Sequence, residues 1–211
     1  MAGSEYHRVF LLSPANASGE RMQLLLRPGA QFDLARRLRA GAATLGEAFE
    51  FTSGLYFRGK LLYARIFARP PAGATGVLVI APGAGLVPAE DPVDAERIRA
   101  LGAVPVDAAD ARFREPLERA ARLLLAALPD EAEIVLLGSI ASAKYVEPLL
   151  AVFGQRLLFP PSFVGRGDMS RGGLLLRSAR AGEELAYAPV LGAVRRGPRP
   201  PRLPRWRPPT P

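Results

Sequence analysis

The chain has 211 residues, 49% of them hydrophobic, with a formal net charge of +8, which suits one domain with a sizeable core and a short appendage. The absence of cysteine excludes disulfides, thiolate nucleophiles and thiolate metal sites, and a single histidine, His7, leaves no imidazole cluster and argues against a Ser-His-Asp triad. No apolar run approaches the roughly 20 residues that span a bilayer, and "MAGSEYHRVF" lacks the pattern of a secretory signal, so the expected location is cytoplasmic.

The charge is unevenly placed. Residues 195–211, "RRGPRPPRLPRWRPPTP", hold six arginines and no acid, so the preceding residues carry only +2. Arginine supplies 26 of the 28 basic residues, a bias that GC-rich coding alone produces, and Lys60 and Lys144 are the two lysines.

Taken in order, "RVFLL" (8–12) reads as a strand, with His7 at its edge, and "SPANASG" behind it as a turn. Between Thr44 and Arg69, Leu45, Ala48, Phe49, Thr52, Leu55, Tyr56, Gly59, Leu62, Tyr63, Ile66 and Phe67 recur at spacings of three and four. That spacing predicts one long helix with an apolar face, on which Gly59 marks the close approach of another backbone. Tyr56 and Tyr63 read as packing residues of that face, the other reading being a phenol at the edge of a cleft. "GVLVIA" (76–81) is a strand buried on both faces, followed by the loop "PGAGLVPAEDP".

"PLERAARLLLAAL" (116–128) predicts a second helix with Pro116 at its first position, and "EIVLLG" (133–138) another buried strand. "SIASAKYVEPLLAVFG" is helical, with Pro148 starting or kinking it, and "RLLF" (156–159) is a fourth strand. "LLLRSARAGEELAYAPV" (174–190) reads as an antiparallel hairpin about a Gly-containing turn, with Glu183 and Glu184 solvated at its tip. The expected architecture is therefore one α/β domain over residues 1–194: a mainly parallel sheet of about four strands, flanking helices and a C-terminal hairpin. The seven prolines of 195–211 alternate with arginine, which favours a disordered basic tail.

In open α/β sheets ligands bind outside the carboxyl ends of the strands. The loops there offer Ser13 and Asn16 after the first strand, Gly83 and Gly85 after the second, Gly138, Ser139 and Lys144 after the third, and Arg166, Asp168 and Arg171 after the fourth. Glycines admit close backbone approach, Ser139 suits a helix cap, and "GSIASAK" (138–144) resembles an anion cradle without the spacing of a P-loop. In "GRGDMSRGG" (165–173) the arginine forks suit phosphate or carboxylate, and Asp168 either orients an arginine or accepts a proton. The embedded RGD carries no weight, and Asp107 and Asp110 read as a surface cluster with Arg112 and Arg114. No metal and no cofactor is expected.

"GLYFRGKLLYARIFA" (54–68), "VLVIAPGAGLV" (77–87) and "KYVEPLLAVFG" (144–154) together resemble an uncharacterised bacterial family whose members carry an L-Y-x-x-x-F helix, a strand ending in S-A-x-x-G-L and a Y-x-x-x-L helix. This chain has Pro82-Gly83-Ala84-Gly85-Leu86 at the strand end. "LLSPAN" (11–16) is similar to the opening of YaaA-type peroxide-stress proteins, which have lysine where Asn16 stands. These resemblances imply an α/β domain associated with nucleotides or nucleic acids, with no assigned reaction and no catalytic residue to carry over.

Two functions follow as expectations. One is a phosphate- or nucleotide-binding cleft formed by the loop residues above. The other is a non-catalytic binding protein whose tail supplies the affinity, its arginines tracking phosphates and Trp206 stacking on a base, or its Pro201 and Pro204 engaging a protein partner.

Overall fold

The computed structural model describes residues 7–203. Four parallel strands form the centre of the main sheet: β1 (Arg8–Leu12), β3 (Val77–Ala81), β6 (Glu133–Leu137) and β7 (Leu157–Phe159). Two antiparallel strands, β4 (Gly85–Pro88) and β8 (Ala188–Pro189), close its edges, giving the order β4-β3-β1-β6-β7-β8. A separate two-stranded sheet pairs β2 (Ala43–Thr44) with β5 (Pro92–Val93). The α/β class and the parallel core match expectation, while the main sheet has six strands rather than four.

Among the described residues eight helices surround the sheets: α1 (Glu20–Leu25), α2 (Asp33–Arg39), α3 (Leu45–Ser53), α4 (Leu55–Phe67), α5 (Ala95–Gly102), α6 (Ala111–Ala127), α7 (Ala143–Phe153) and α8 (Asp168–Ala181). Every residue of β1 is buried, because the strand has a helical layer on both faces. Phe10 and Leu12 join the core beneath α1 to α4 and α8, whereas Val9 and Leu11 join the one beneath α6 and α7. Among the described residues no helix is long and apolar enough to cross a membrane.

Several boundaries depart from the sequence reading. The stretch 44–69 is two helices, broken at Gly54, whose φ of 57° lies where side-chain-bearing residues are strained. The first of them starts in a capping box, Thr44 accepting from the Glu47 amide and Glu47 accepting from the Thr44 amide. "PGAGLVP" is not a loop but the turn and second strand of a hairpin, pairing Ile80 with Leu86. Pro116 lies inside α6, whose N-cap is Asp110.

The largest departure is at 174–190. "DMSRGGLLLRSARA" is helix α8, and Leu175, Leu176 and Ala179 bury one of its faces. Only the final segment returns as a strand, β8, on the edge of β7. Short apolar runs do not distinguish strand from helix, and here helix packing decides. Gly59 of α4 and Gly172 of α8 meet backbone to backbone: a Cβ on Gly59 would lie 2.7 Å from the Gly172 carbonyl oxygen.

Glu184 is not solvated. With Glu133 it flanks Arg8, whose side chain is 4% exposed, and the guanidinium also lies over the Tyr187 ring at 4.5 Å. Tyr187 donates to Glu184 and shares a 2.6 Å hydrogen bond with Tyr63, which accepts from the Leu185 amide. This network ties the C-terminal return to the amino end of β1.

Residues 195–203 have neither helix nor strand; 199–203 lie along α8, and Arg166, just ahead of that helix, donates to the Pro201 carbonyl. Trp206 and Pro204 fall outside the described residues.

Candidate functional site

The strand order places a switch point between β1 and β6. From β1 the chain goes to β3 on one side, then returns across β1 to β6 on the other. Loops leaving β1 and β6 therefore diverge, and a crevice opens above the carboxyl ends of those two strands. The register Leu12 with Leu137 sets Ser13 beside Gly138, and the Ser13 amide donates to the Leu137 carbonyl at 3.2 Å.

A cleft of about 900 Å³ occupies that position. Ser13, Pro14, Ala15 and Asn16 line it from β1, and Ser139, Ser142, Lys144 and Tyr145 from β6 and the start of α7. Thr52, Ser53 and Tyr56 contribute from the α3–α4 junction, Asp107 from the loop before α6, and Asp168 from the first turn of α8. Three of the four loops anticipated from the sequence thus meet here.

The remaining expected residues lie elsewhere or underneath. Gly83 and Gly85 shape the β3–β4 turn, with φ of 77° and 83°, and Gly85 packs under α6, where a Cβ would meet the Pro116 carbonyl at 2.5 Å. Their role is conformational and packing. Arg166 lines a separate groove with the 199–203 segment, donating to Ser162 and Ser170 as well as Pro201. Arg171 is buried below the cleft, donating to the Phe163 carbonyl and to Asp168 at 3.1 Å, so it positions that carboxylate. Ser139 does not cap α7; Ser142 does, accepting from the Lys144 amide. Gly138 lies at the cleft floor, where a Cβ would meet Ser13 Oγ and the Tyr145 hydroxyl, each at 3.1 Å.

The chemistry at that floor centres on a residue the sequence reading passed over. Lys60 is 1% exposed, and its Nζ contacts Ser13 Oγ at 2.9 Å and the Ser13 carbonyl at 2.5 Å. Its ammonium form has no carboxylate within ion-pair distance among the described residues, and the rings of Tyr56 and Phe57 lie 4.5 and 4.8 Å away. Burial pushes the lysine pKa down to about 7, with Asp168 opposing and Arg171 reinforcing the shift. The signal in the sequence was position: Tyr56, Lys60, Tyr63 and Phe67 are spaced by four, three and four, which puts a lysine on an apolar stripe.

Two phenols complete the floor. Tyr145 accepts from the Ser139 amide at 3.1 Å, and burial raises its pKa while the neighbouring Ser13 hydroxyl opposes that rise. The Tyr56 hydroxyl is buried on the cleft wall beside the Arg171 guanidinium, and among the described residues no partner meets it in normal hydrogen-bond geometry. Burial raises its pKa too, so it stays a protonated donor. No three His, Cys, Asp or Glu side chains group as a metal site among the described residues.

No protein-family model, curated protein or solved structure matches the chain.

Proposed function

We propose that the switch-point cleft binds a small polar ligand of the phosphorylated or nucleoside type. The observation that carries this reading is the convergence of Ser13, Asn16, Ser139, Lys144 and Asp168 around one 900 Å³ space, a volume suited to a ligand of that size. Lys144 is exposed at the rim beside the amino end of α7, where a helix favours negative charge. The hydroxyls, the Asn16 amide and the two carboxylates, which are exposed on the cleft walls, suit ribose and base edges.

Thermal denaturation against nucleotides, nucleosides and sugar phosphates tests it. A bound ligand raises Tm by mass action, and Lys144→Ala diminishes the shift for anionic ligands while leaving the unliganded Tm within about 1 °C, as expected of an exposed side chain. Absence of a shift across all three classes sinks the reading.

A second reading rests on a different surface. Arg166, Arg177, Arg199 and Arg202 line one groove formed by α8 and the 199–203 segment, a basic surface that suits a nucleic-acid backbone. Binding of single-stranded DNA, duplex DNA and tRNA at two salt concentrations checks it. Arg199→Glu with Arg202→Glu weakens binding and flattens its salt dependence if the groove carries the contacts.

A further inference from the structure

We infer that Ser13 is a nucleophile, with Lys60 as its general base and Tyr56 as the donor to the oxyanion, and that the cleft hydrolyses acyl esters. This rests on the reading of the cleft as a ligand site and gives that ligand a reaction.

The argument is geometric. A serine hydroxyl at the carboxyl end of the central strand faces the cleft, and a fully buried lysine nitrogen sits 2.9 Å behind it. Nζ donates to the Ser13 carbonyl and lies 2.9 Å from Oγ; once the amine is neutral, its lone pair is free to accept the Oγ proton at that distance. Nucleophile and base are within hydrogen-bond reach, and the carbonyl contact orients the base, as nucleophilic catalysis requires. The groups facing Lys60 are Ser13 from β1, Tyr56 on its own helix, and Asp168 with Arg171 from α8, while Tyr145 from α7 faces Ser13. Asp168 and Arg171 pair with each other and partly cancel, so burial decides which state the amine adopts.

The Tyr56 hydroxyl is the second observation. A buried hydroxyl without a partner costs free energy, and one on the wall of the cleft is satisfied when a ligand oxygen accepts from it. An acyl transition state requires that kind of donor, since its charge gathers on one oxygen. A phosphoryl group spreads charge over three oxygens, and the Arg171 guanidinium nearby is already committed to Phe163 and Asp168. The acyl carbon is therefore the electrophile that fits, with any anionic portion of the substrate toward Lys144.

The steps balance with water as co-substrate. Lys60 takes the Oγ proton as Oγ bonds to the acyl carbon, and the carbonyl electron pair moves to the oxygen held by Tyr56. The adduct collapses, the bond to the alcohol breaks, and the alcohol leaves with the proton from the Lys60 ammonium. Water then attacks the acyl-serine, giving its proton to Lys60. The acid departs and Oγ recovers that proton.

A fluorophosphonate, which phosphonylates nucleophilic serines, tests this on the full chain, with the adduct located by peptide mass spectrometry and p-nitrophenyl acetate hydrolysis followed from pH 5 to 9. The expected result is one adduct, on Ser13, absent in Ser13→Ala and Lys60→Met. The labelling rate rises about tenfold per pH unit below pH 7 and levels off above it, as a base titrating there demands. Tyr56→Phe, a near-isosteric change with folding checked by circular dichroism, slows ester hydrolysis by roughly 10²-fold, the usual effect of one lost oxyanion donor. An adduct on another serine, or Lys60→Met labelling at the wild-type rate, overturns the assignment. No adduct alongside a persisting ligand-induced Tm shift overturns the nucleophile and leaves the cleft reading standing; loss of both ends both.

Discussion

Lys60 lays its four methylenes in the core and presents only its amine to Ser13. Its folded-state pKa of about 7 lies below the ordinary lysine value of 10.5, so between those values the unfolded chain binds a proton that the folded chain does not. Stability therefore rises with pH across that window, and the burial penalty is complete below pH 7. Lys60→Met, which keeps the stem, is expected to raise Tm by several degrees at pH 7, with the gain fading as pH approaches 10. Thermal unfolding at pH 7 and pH 9.5 reads this directly. Gly138→Ala is a second test at this scale. Its methyl would crowd Ser13 Oγ and the Tyr145 hydroxyl, so it is expected to cost about 1–3 kcal/mol, as overpacking does, and to displace Ser13 from Lys60.

At the scale of elements, α4 and α8 hold the site. They pack through Gly59 and Gly172 so closely that neither tolerates a methyl group without a shift of backbone. Gly59→Ala should destabilise by about 1–3 kcal/mol despite the higher helix propensity of alanine, measurable as a lower urea midpoint. The glycine's purpose was legible in the sequence, because it interrupts an apolar stripe where a side chain would otherwise serve. Its partner was not. "LLLRSARAGEELAYAPV" alternates well enough over short spans to pass for two strands, and packing against α4 makes its first half, through Ala181, helical. For the same reason Ser13, Asn16, Ser139, Lys144 and Asp168 were legible as strand-end residues, while Lys60 was not: its chemistry arises from burial between elements distant in sequence. Gly83 and Gly85 misled because a glycine-rich strand end serves a hairpin turn as readily as a ligand.

Over the whole molecule, two ends of the sheet do different work. The carboxyl end carries the cleft, and the amino end carries the Arg8 network that fastens residues 184–187 to β1. Arg8→Met strands two partly buried carboxylates and should cost about 2–4 kcal/mol, somewhat under the cost of breaking a fully buried pair. Protease cleavage within 183–190 should quicken in step with the lower urea midpoint. The parallel core could be read from alternating strands and helices, but strand order could not, since nothing in the local pattern says on which side of β1 a later strand docks.

The meeting of Gly59 with Gly172 also bears on how the chain is made. During synthesis α4 emerges well before α8 exists, and until then the Gly59 face of α4 has no partner. Asp168 and Arg171, the α8 groups that act on the Lys60 amine, reach it only once that helix has docked. If Lys60 serves as the base, the site is complete only when Gly172 of α8 has docked on Gly59 of α4.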